Sequence, residues 1–326
     1  MFGKMMNNFY YGKSGKGDYH KEDLPQTRWQ LFWEMLKIRL SGLCRLNLTY
    51  AVVWLPAMIV LFMAALQAYS ALAGFAEMRE AAQGTMTEAA AAESAAQLFQ
   101  MLGVMVMQTL LVLIPCIAIT GPFTAGIAYV TRNWARDEHA FVWADFRDAV
   151  KDNWKQGLAV SAITSIMPLM LYVCWTFYSD MSKQSVLFIV PQMISTMLAV
   201  FWMCSLLYQY PLMVTYQLRF RDLLRNGFLL TIGRLPMTVG FKLLSLLPAA
   251  IALVVAFFTP YMQIALIVLF AYYLLFGFSL SRFVGASYSN AVFDRIINPN
   301  IEGAEVGRGL YREEDEAFES DEEKTE

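Results

Sequence analysis

Charge is scarce in this chain. Of its 326 residues, 16% are charged and 57% are apolar, whereas a soluble domain carries nearer a quarter charged residues. A water-solvated surface over most of the length is excluded. Histidine is limited to His20 and His139, and no His-Glu-x-x-His pair exists to hold a catalytic zinc. Cys44, Cys116, Cys174 and Cys204 lie far apart, in or beside apolar stretches. Without Cys-x-x-Cys or Cys/His spacing they imply neither zinc nor a disulfide framework, and they read as small buried hydrophobes. The short alternating strands of a membrane β-barrel are missing too.

What the chain has in excess is continuous apolar sequence. Crossing a bilayer takes about 20 such residues, and six runs reach that length: 48–74, 99–121, 158–178, 186–212, 237–258 and 261–283. The expected fold is an all-α integral membrane protein with six transmembrane helices paired as three hairpins. The first run begins near Leu46 behind a long charged segment, so it reads as a retained span and not a cleaved signal. Lysine and arginine set the orientation. Eight precede the first span: Lys4, Lys13, Lys16, Lys21, Arg28, Lys37, Arg39 and Arg45. The first hairpin loop has only Arg79; the next loop has Arg132, Arg136, Arg147, Lys151 and Lys155. Then come Lys183 alone, a loop with Arg219, Arg221, Arg225 and Arg234, and a turn with none. This alternation puts both termini on the cytoplasmic side of the membrane.

A polar, aromatic-rich lead-in precedes each pair of spans, and two of them share the phrase Phe-Arg-Asp. The first, "RWQLFWEMLKIRLSGLCRL", repeats Trp29, Phe32, Trp33, Leu36, Leu40 and Leu43 at helical spacing. The second, "DFRDAVKDNWKQG" at 145–157, aligns Val142, Phe146, Val150 and Trp154 on one face, with Arg147, Asp148, Lys151, Asp152 and Lys155 opposite. The third, "RFRDLLRNG" at 219–227, sets Phe220, Leu223, Leu224, Phe228 and Leu229 against Arg219, Arg221, Asp222 and Arg225. Each is expected to be an amphipathic cytoplasmic helix lying in the head-group layer, its basic residues meeting anionic lipid phosphates. The first span of each pair carries a proline (Pro56, Pro168, Pro248), and a recurrent kink there would shape a common inner surface. The expected units are a basic flexible arm at 1–27, a membrane domain at 28–300 and an acidic tail at 301–326. Between Glu313 and Glu326 stand nine acidic residues and one lysine, which read as disordered and solvated.

Catalytic chemistry finds little support. "GKSGKG" at 12–17 resembles the end of a phosphate-binding loop, but Asn7 occupies the place where that loop needs glycine. No Asp, Glu or His falls inside a predicted span, so acid/base, metal or proton-relay work at membrane depth lacks its groups. The protein reads as a non-enzyme without a cofactor. Lys242 is the one ionisable side chain well inside a run, roughly 8 Å past the start of span five at 1.5 Å per residue, where it is expected to snorkel outward. Gln108, Thr109, Thr164, Ser165, Gln192, Ser195, Thr196 and Gln263 are polar residues within the spans; with Lys242 they are the candidate lining of a solute path, or packing glue between helices. Gly121 and Ala125, four apart beside Ala118 and Gly126, allow two helices to approach closely. Gly121-Pro122 would bend or break the helix at its exit. The docking helix of an ATP-driven permease is rejected: Gly157 lies too far beyond Asp148 for that motif, and Gly227 too near the start of its own phrase.

Three stretches together resemble the YesL-like family of bacterial multi-pass membrane proteins, DUF624. "LNLTYAVVWLP" carries Asn47 and Pro56. "GPFTAGIAYVTRNWARDE" carries Gly121, Pro122, Thr124 and Ala125. "WADFRDAVKDNWKQG" carries Asp145, Phe146, Lys151, Asn153 and Trp154. The resemblance spans about 28–230; a longer first hairpin and the acidic tail depart from it. It implies a protein often encoded beside carbohydrate ABC importers and polysaccharide-degrading enzymes, with unassigned activity and no catalytic residues to carry over. The reading is an accessory or regulatory component linked to carbohydrate uptake. Its partners would be the bilayer and importer subunits or a membrane sensor, with no nucleic acid. The alternative is a facilitator for a small neutral solute. Oligomeric state is left open.

Overall fold

Inside hydrocarbon the backbone must bond to itself, so continuous apolar runs become helices. The computed structural model describes residues 24–82 and 87–311, and no strand occurs among them. The predicted arm up to residue 23, the tail from residue 312 and part of the first hairpin loop lie outside the described residues.

α1 runs from Arg28 to Ala81 as one 54-residue helix. Thr27 and Gln30 form a reciprocal capping box at its start. At 1.5 Å per residue it is about 80 Å long, more than twice the hydrocarbon thickness. The first lead-in is therefore not a separate interfacial helix but the base of span one. Nothing between Arg28 and Pro56 can stop a helix except Gly42, and that glycine is spent on a contact with Trp134. Its predicted stripe is also displaced: the buried side is Leu31, Met35, Gly42, Leu43 and Leu46, while Trp29, Trp33 and Leu40 are exposed.

α2 (Glu88–Ala118) returns and ends in a turn, and α3 (Gly121–Trp134) restarts with Pro122 in its first turn. α4 (Ala144–Asp152) leads into α5 (Trp154–Ser182), followed by α6 (Ile189–Thr215) and α7 (Phe220–Gly233). α8 (Leu235–Phe258) and α9 (Met262–Tyr272) form the third hairpin; a π-helical turn, Tyr273–Gly277, then joins α9 to α10 (Phe278–Ile296). Six helical rods are long and apolar enough to cross a membrane, and the chain is an all-α membrane protein. Span six continues past the predicted end at residue 283, because its polar residues Ser289, Asn290 and Asp294 are buried against neighbouring helices.

α1 packs on α2, α2 on α5, α5 on α6, and α8 on α9, while α3 touches α1, α4, α5, α6 and α10. Two apolar clusters result, both sharing α3 and α10. One joins Leu43, Leu46, Tyr50, Ile127, Trp134 and Phe283; the other joins Ala125, Val160, Tyr208, Leu212, Leu223 and Phe293. Both lie where the lead-ins are. Toward the hairpin turns α1 buries nothing after Met58, α5 nothing after Ser165, and α9 only Ala265. The bundle thus has a packed end and a splayed end.

Candidate functional site

The packed end is assembled on α3. A Cβ on Gly121 would land on the Gly157 carbonyl oxygen and Ser161 Oγ, and one on Gly157 would stand 2.9 Å from the Gly121 oxygen. α3 and α5 therefore touch backbone to backbone. Ser161 Oγ–H donates to the Ala118 carbonyl at 2.5 Å, satisfying a group left free where α2 ends. One turn along, Gly126 admits Phe146 and Val150 of α4; an added Cβ would meet them at 2.9 and 2.8 Å.

The second lead-in is thus docked on α3 through buried Phe146 and Ala149, while its charged residues remain exposed. Asp145 accepts the Phe141 N–H at 2.7 Å and closes the preceding loop. The predicted four-step face breaks at Asn153, whose Nδ2–H donates to the Ala149 carbonyl at 3.0 Å and ends α4. Trp154 begins α5 instead and is 50% exposed. Lys151 makes only an exposed ion pair with Asp148, 3.6 Å.

Deeper in, a polar layer draws on every hairpin. Thr124 Oγ1 donates to the Thr120 carbonyl (2.9 Å) and takes the Tyr50 hydroxyl at 2.7 Å. Buried Tyr210 of α6 joins the layer, and the Arg282 guanidinium of α10 lies 5.4 Å from its ring centroid. Lys242 of α8 is half-buried, and Arg282 and buried Cys204 act on its charge. Asn47 has the most exacting role. Its Nδ2 donates to the carbonyls of Tyr273 (2.9 Å) and Leu274 (2.8 Å), and its Oδ1 accepts the Ser279 N–H at 2.8 Å. These bonds bracket the π-helical turn, where the ordinary ladder is interrupted. In hydrocarbon such unpaired groups cost several kcal/mol each.

A third layer lies at the base of the packed end. Asp294 takes Arg28, the Asn298 Nδ2–H at 2.5 Å and the Gly307 N–H at 3.2 Å, and Tyr216 donates to Asn298 Oδ1 at 2.5 Å. Glu138 serves Arg136 (3.2 Å), Arg308 (3.4 Å) and Arg132 (3.7 Å). Burial, with the like charge of Arg136, lowers the pKa of Arg132, and Glu138 opposes that shift. Burial raises the Tyr216 hydroxyl above its ordinary range. Sequence reading missed this network because its partners are far apart: Arg28 and Asp294 are separated by 266 positions.

The end of the second lead-in meets the segment that runs into the third. Gln156 Nε2–H donates to the Leu218 carbonyl at 2.9 Å, and an open cavity of about 880 Å³ forms between 152–156 and 213–219. Trp154, Lys155, Gln217 and Arg219 are exposed in its wall, with Lys155 Nζ 5.6 Å from the Trp154 ring.

The candidate solute lining does not come together in this way. Gln108 and Gln263 are exposed on their helices, Gln192 is buried, and none of them lines this cavity or the other two described. Thr109, Thr164, Ser165, Ser195 and Thr196 donate to carbonyls of their own helices. Pro56 and Pro168 are exposed, so the prolines do not build a common inner surface. Among the described residues, no three His, Cys, Asp or Glu side chains gather as a metal centre needs.

A model of a family described as protein of unknown function, DUF624, matches residues 43–175, and the resemblance read from the sequence holds over that stretch. It takes in α3 whole, with Asn47, Tyr50 and Gly157, and stops short of Tyr210, Lys242 and Arg282. No curated protein and no solved structure matches the chain.

Proposed function

We propose that this is a non-enzymatic accessory or regulatory protein of the bacterial inner membrane, linked to carbohydrate uptake and acting from its cytoplasmic face. One observation carries the reading: the end of one Phe-Arg-Asp lead-in and the turn that opens the other, from different hairpins, frame one open cavity whose rim exposes Trp154, Lys155 and Arg219. Exposed Trp and Arg are the side chains that anchor protein contacts most strongly. An importer subunit or a membrane sensor is the partner proposed for this face. The lysine and arginine distribution supports cytoplasmic termini. The facilitator reading has less support, since its lining residues share no described cavity.

Co-purification from mildly solubilised membranes tests the proposal. Importer subunits are expected in stoichiometric yield with the wild type and in several-fold lower yield with Trp154→Ala/Arg219→Ala. Purified protein that by itself makes liposomes permeable to a sugar would overturn it.

A further inference from the structure

A second cavity, of about 510 Å³, lies between α1 and the loop that follows α3, within the size range of small-ligand sites. Trp134 forms its floor. Gly42 lets the indole lie against α1, since a Cβ there would stand 2.9 Å from the ring, and Trp134 Nε1–H donates to the Ala140 carbonyl at 3.1 Å. Arg39 lies over this indole, its guanidinium 6.0 Å from the ring centroid. The Arg39 Nε is buried and has no hydrogen-bond partner. Arg45 stands exposed at the rim, held only by the Ser41 carbonyl at 3.5 Å.

No carboxylate lines the cavity, and neither Arg39 nor Arg45 meets one among the described residues. Of the acids nearby, Asp145 is engaged on the Phe141 N–H and Glu138 on three arginines, and exposed Asp137 is outside the cavity lining. Two guanidiniums at one cavity with no carboxylate beside them leave positive charge uncompensated, which suits an anion. Arginine's planar fork matches phosphate in particular. The location narrows the source. Arg45 immediately precedes the first apolar run, the level at which head groups lie. Phe141 and Trp143 stand 62% and 63% exposed on the cavity wall, as aromatics do at the lipid boundary.

We infer that this cavity binds the phosphate of an anionic phospholipid, with Arg39 and Arg45 on the phosphate and Phe141 and Trp143 beside the acyl chains. Free phosphate offers the same oxygens without the tails, and the test separates the two.

Native mass spectrometry of the full chain in detergent, given equal phosphatidylglycerol and phosphatidylcholine, reads the occupancy. Phosphatidylglycerol is expected to be retained selectively. Arg39→Gln and Arg45→Gln should each weaken retention about fivefold, the effect of one basic residue at an anionic surface. Equal retention of phosphatidylcholine, or wild-type retention by the double variant, would overturn the inference. So would displacement of the lipid by glycerol phosphate at matching concentration. Should Arg39→Gln fail to fold, Arg45→Gln decides alone, because that side chain is exposed.

Discussion

The packed end and the splayed end of this bundle are built from the same six apolar rods, yet only one has a core. What differs is small residues and polar groups. The packed end has Gly121 against Gly157, Gly126 against Phe146, and hydrogen bonds from Asn47, Tyr50 and Ser161 that cross between helices. The splayed end offers Leu61, Ile251, Val254 and Ile267, all more than half exposed or nearly so. Apolar sequence drives insertion, but lipid tails are as apolar as leucine, so it gives helices no reason to associate. Close backbone approach and interhelical hydrogen bonds supply that reason. Buried side chains concentrate where most of those features lie, and Tyr172, donating to the Gly103 carbonyl at 2.9 Å, extends them part of the way along α2 and α5.

The sharpest way to break this comparison is a pair of glycine substitutions. Gly121→Val forces a side chain onto the α5 backbone and is expected to cost about 3 kcal/mol or more of stability. Gly74→Val, at a position with nothing within 4 Å of a new Cβ, should change stability by less than about 0.5 kcal/mol. Thermal unfolding in detergent reads both, and equal losses would erase the distinction.

Next in size is Asn47→Leu, which strips three bonds from the π-helical turn and should cost about 3 kcal/mol, at about 1 kcal/mol for each group left unpaired. Hydrogen exchange confined to 273–279 should accelerate with it; unchanged exchange there would mean the turn needs no help from α1. Tyr50→Phe removes one buried bond to Thr124 and should cost about 1 kcal/mol. Leu61→Ala, at the splayed end, should fall below that in the same melts.

The smallest effect is one of pH. Burial raises the Tyr216 hydroxyl, so the fold favours its neutral form. The unfolded chain ionises from about pH 10 upward, and stability should therefore fall as pH rises through and beyond that value. In Tyr216→Phe that part of the alkaline slope should vanish; a slope identical to wild type would show that Tyr216 does not contribute it.

The six spans were legible because length and continuity of apolar sequence suffice to specify them. The break at Gly121-Pro122 was legible for a similar reason, since proline lacks a donor and suits a first turn. Three things were hidden. α1 absorbs its lead-in because no strong breaker separates Arg28 from Pro56, and an amphipathic stripe cannot say whether its helix stops. Span six runs on to Ile296 because Ser289, Asn290 and Asp294, polar by type, are buried by α3, α6 and the 301–311 segment, a tertiary effect that no local window contains. Asn47 and Thr124 were marked by family resemblance alone. Their work, bonding a π-helical turn 226 positions away and a tyrosine 74 positions away, depends on topology. Lys242 was noticed, but its neighbours Cys204 and Arg282 belong to other helices, so its environment was not.

The contrast between the two ends is tested most directly by electron–electron distance measurements on the full chain, stripped of its four cysteines and spin-labelled in pairs. A pair at Lys151 and Arg221, exposed at the packed end, should give a narrow distance distribution in both detergent and bilayer. A pair at Gly74 and Val254, exposed on the splayed arms of α1 and α8, should give a broad one, because few buried contacts hold those segments. Distributions of equal width at the two ends would contradict the division of this bundle into a packed half and a splayed half.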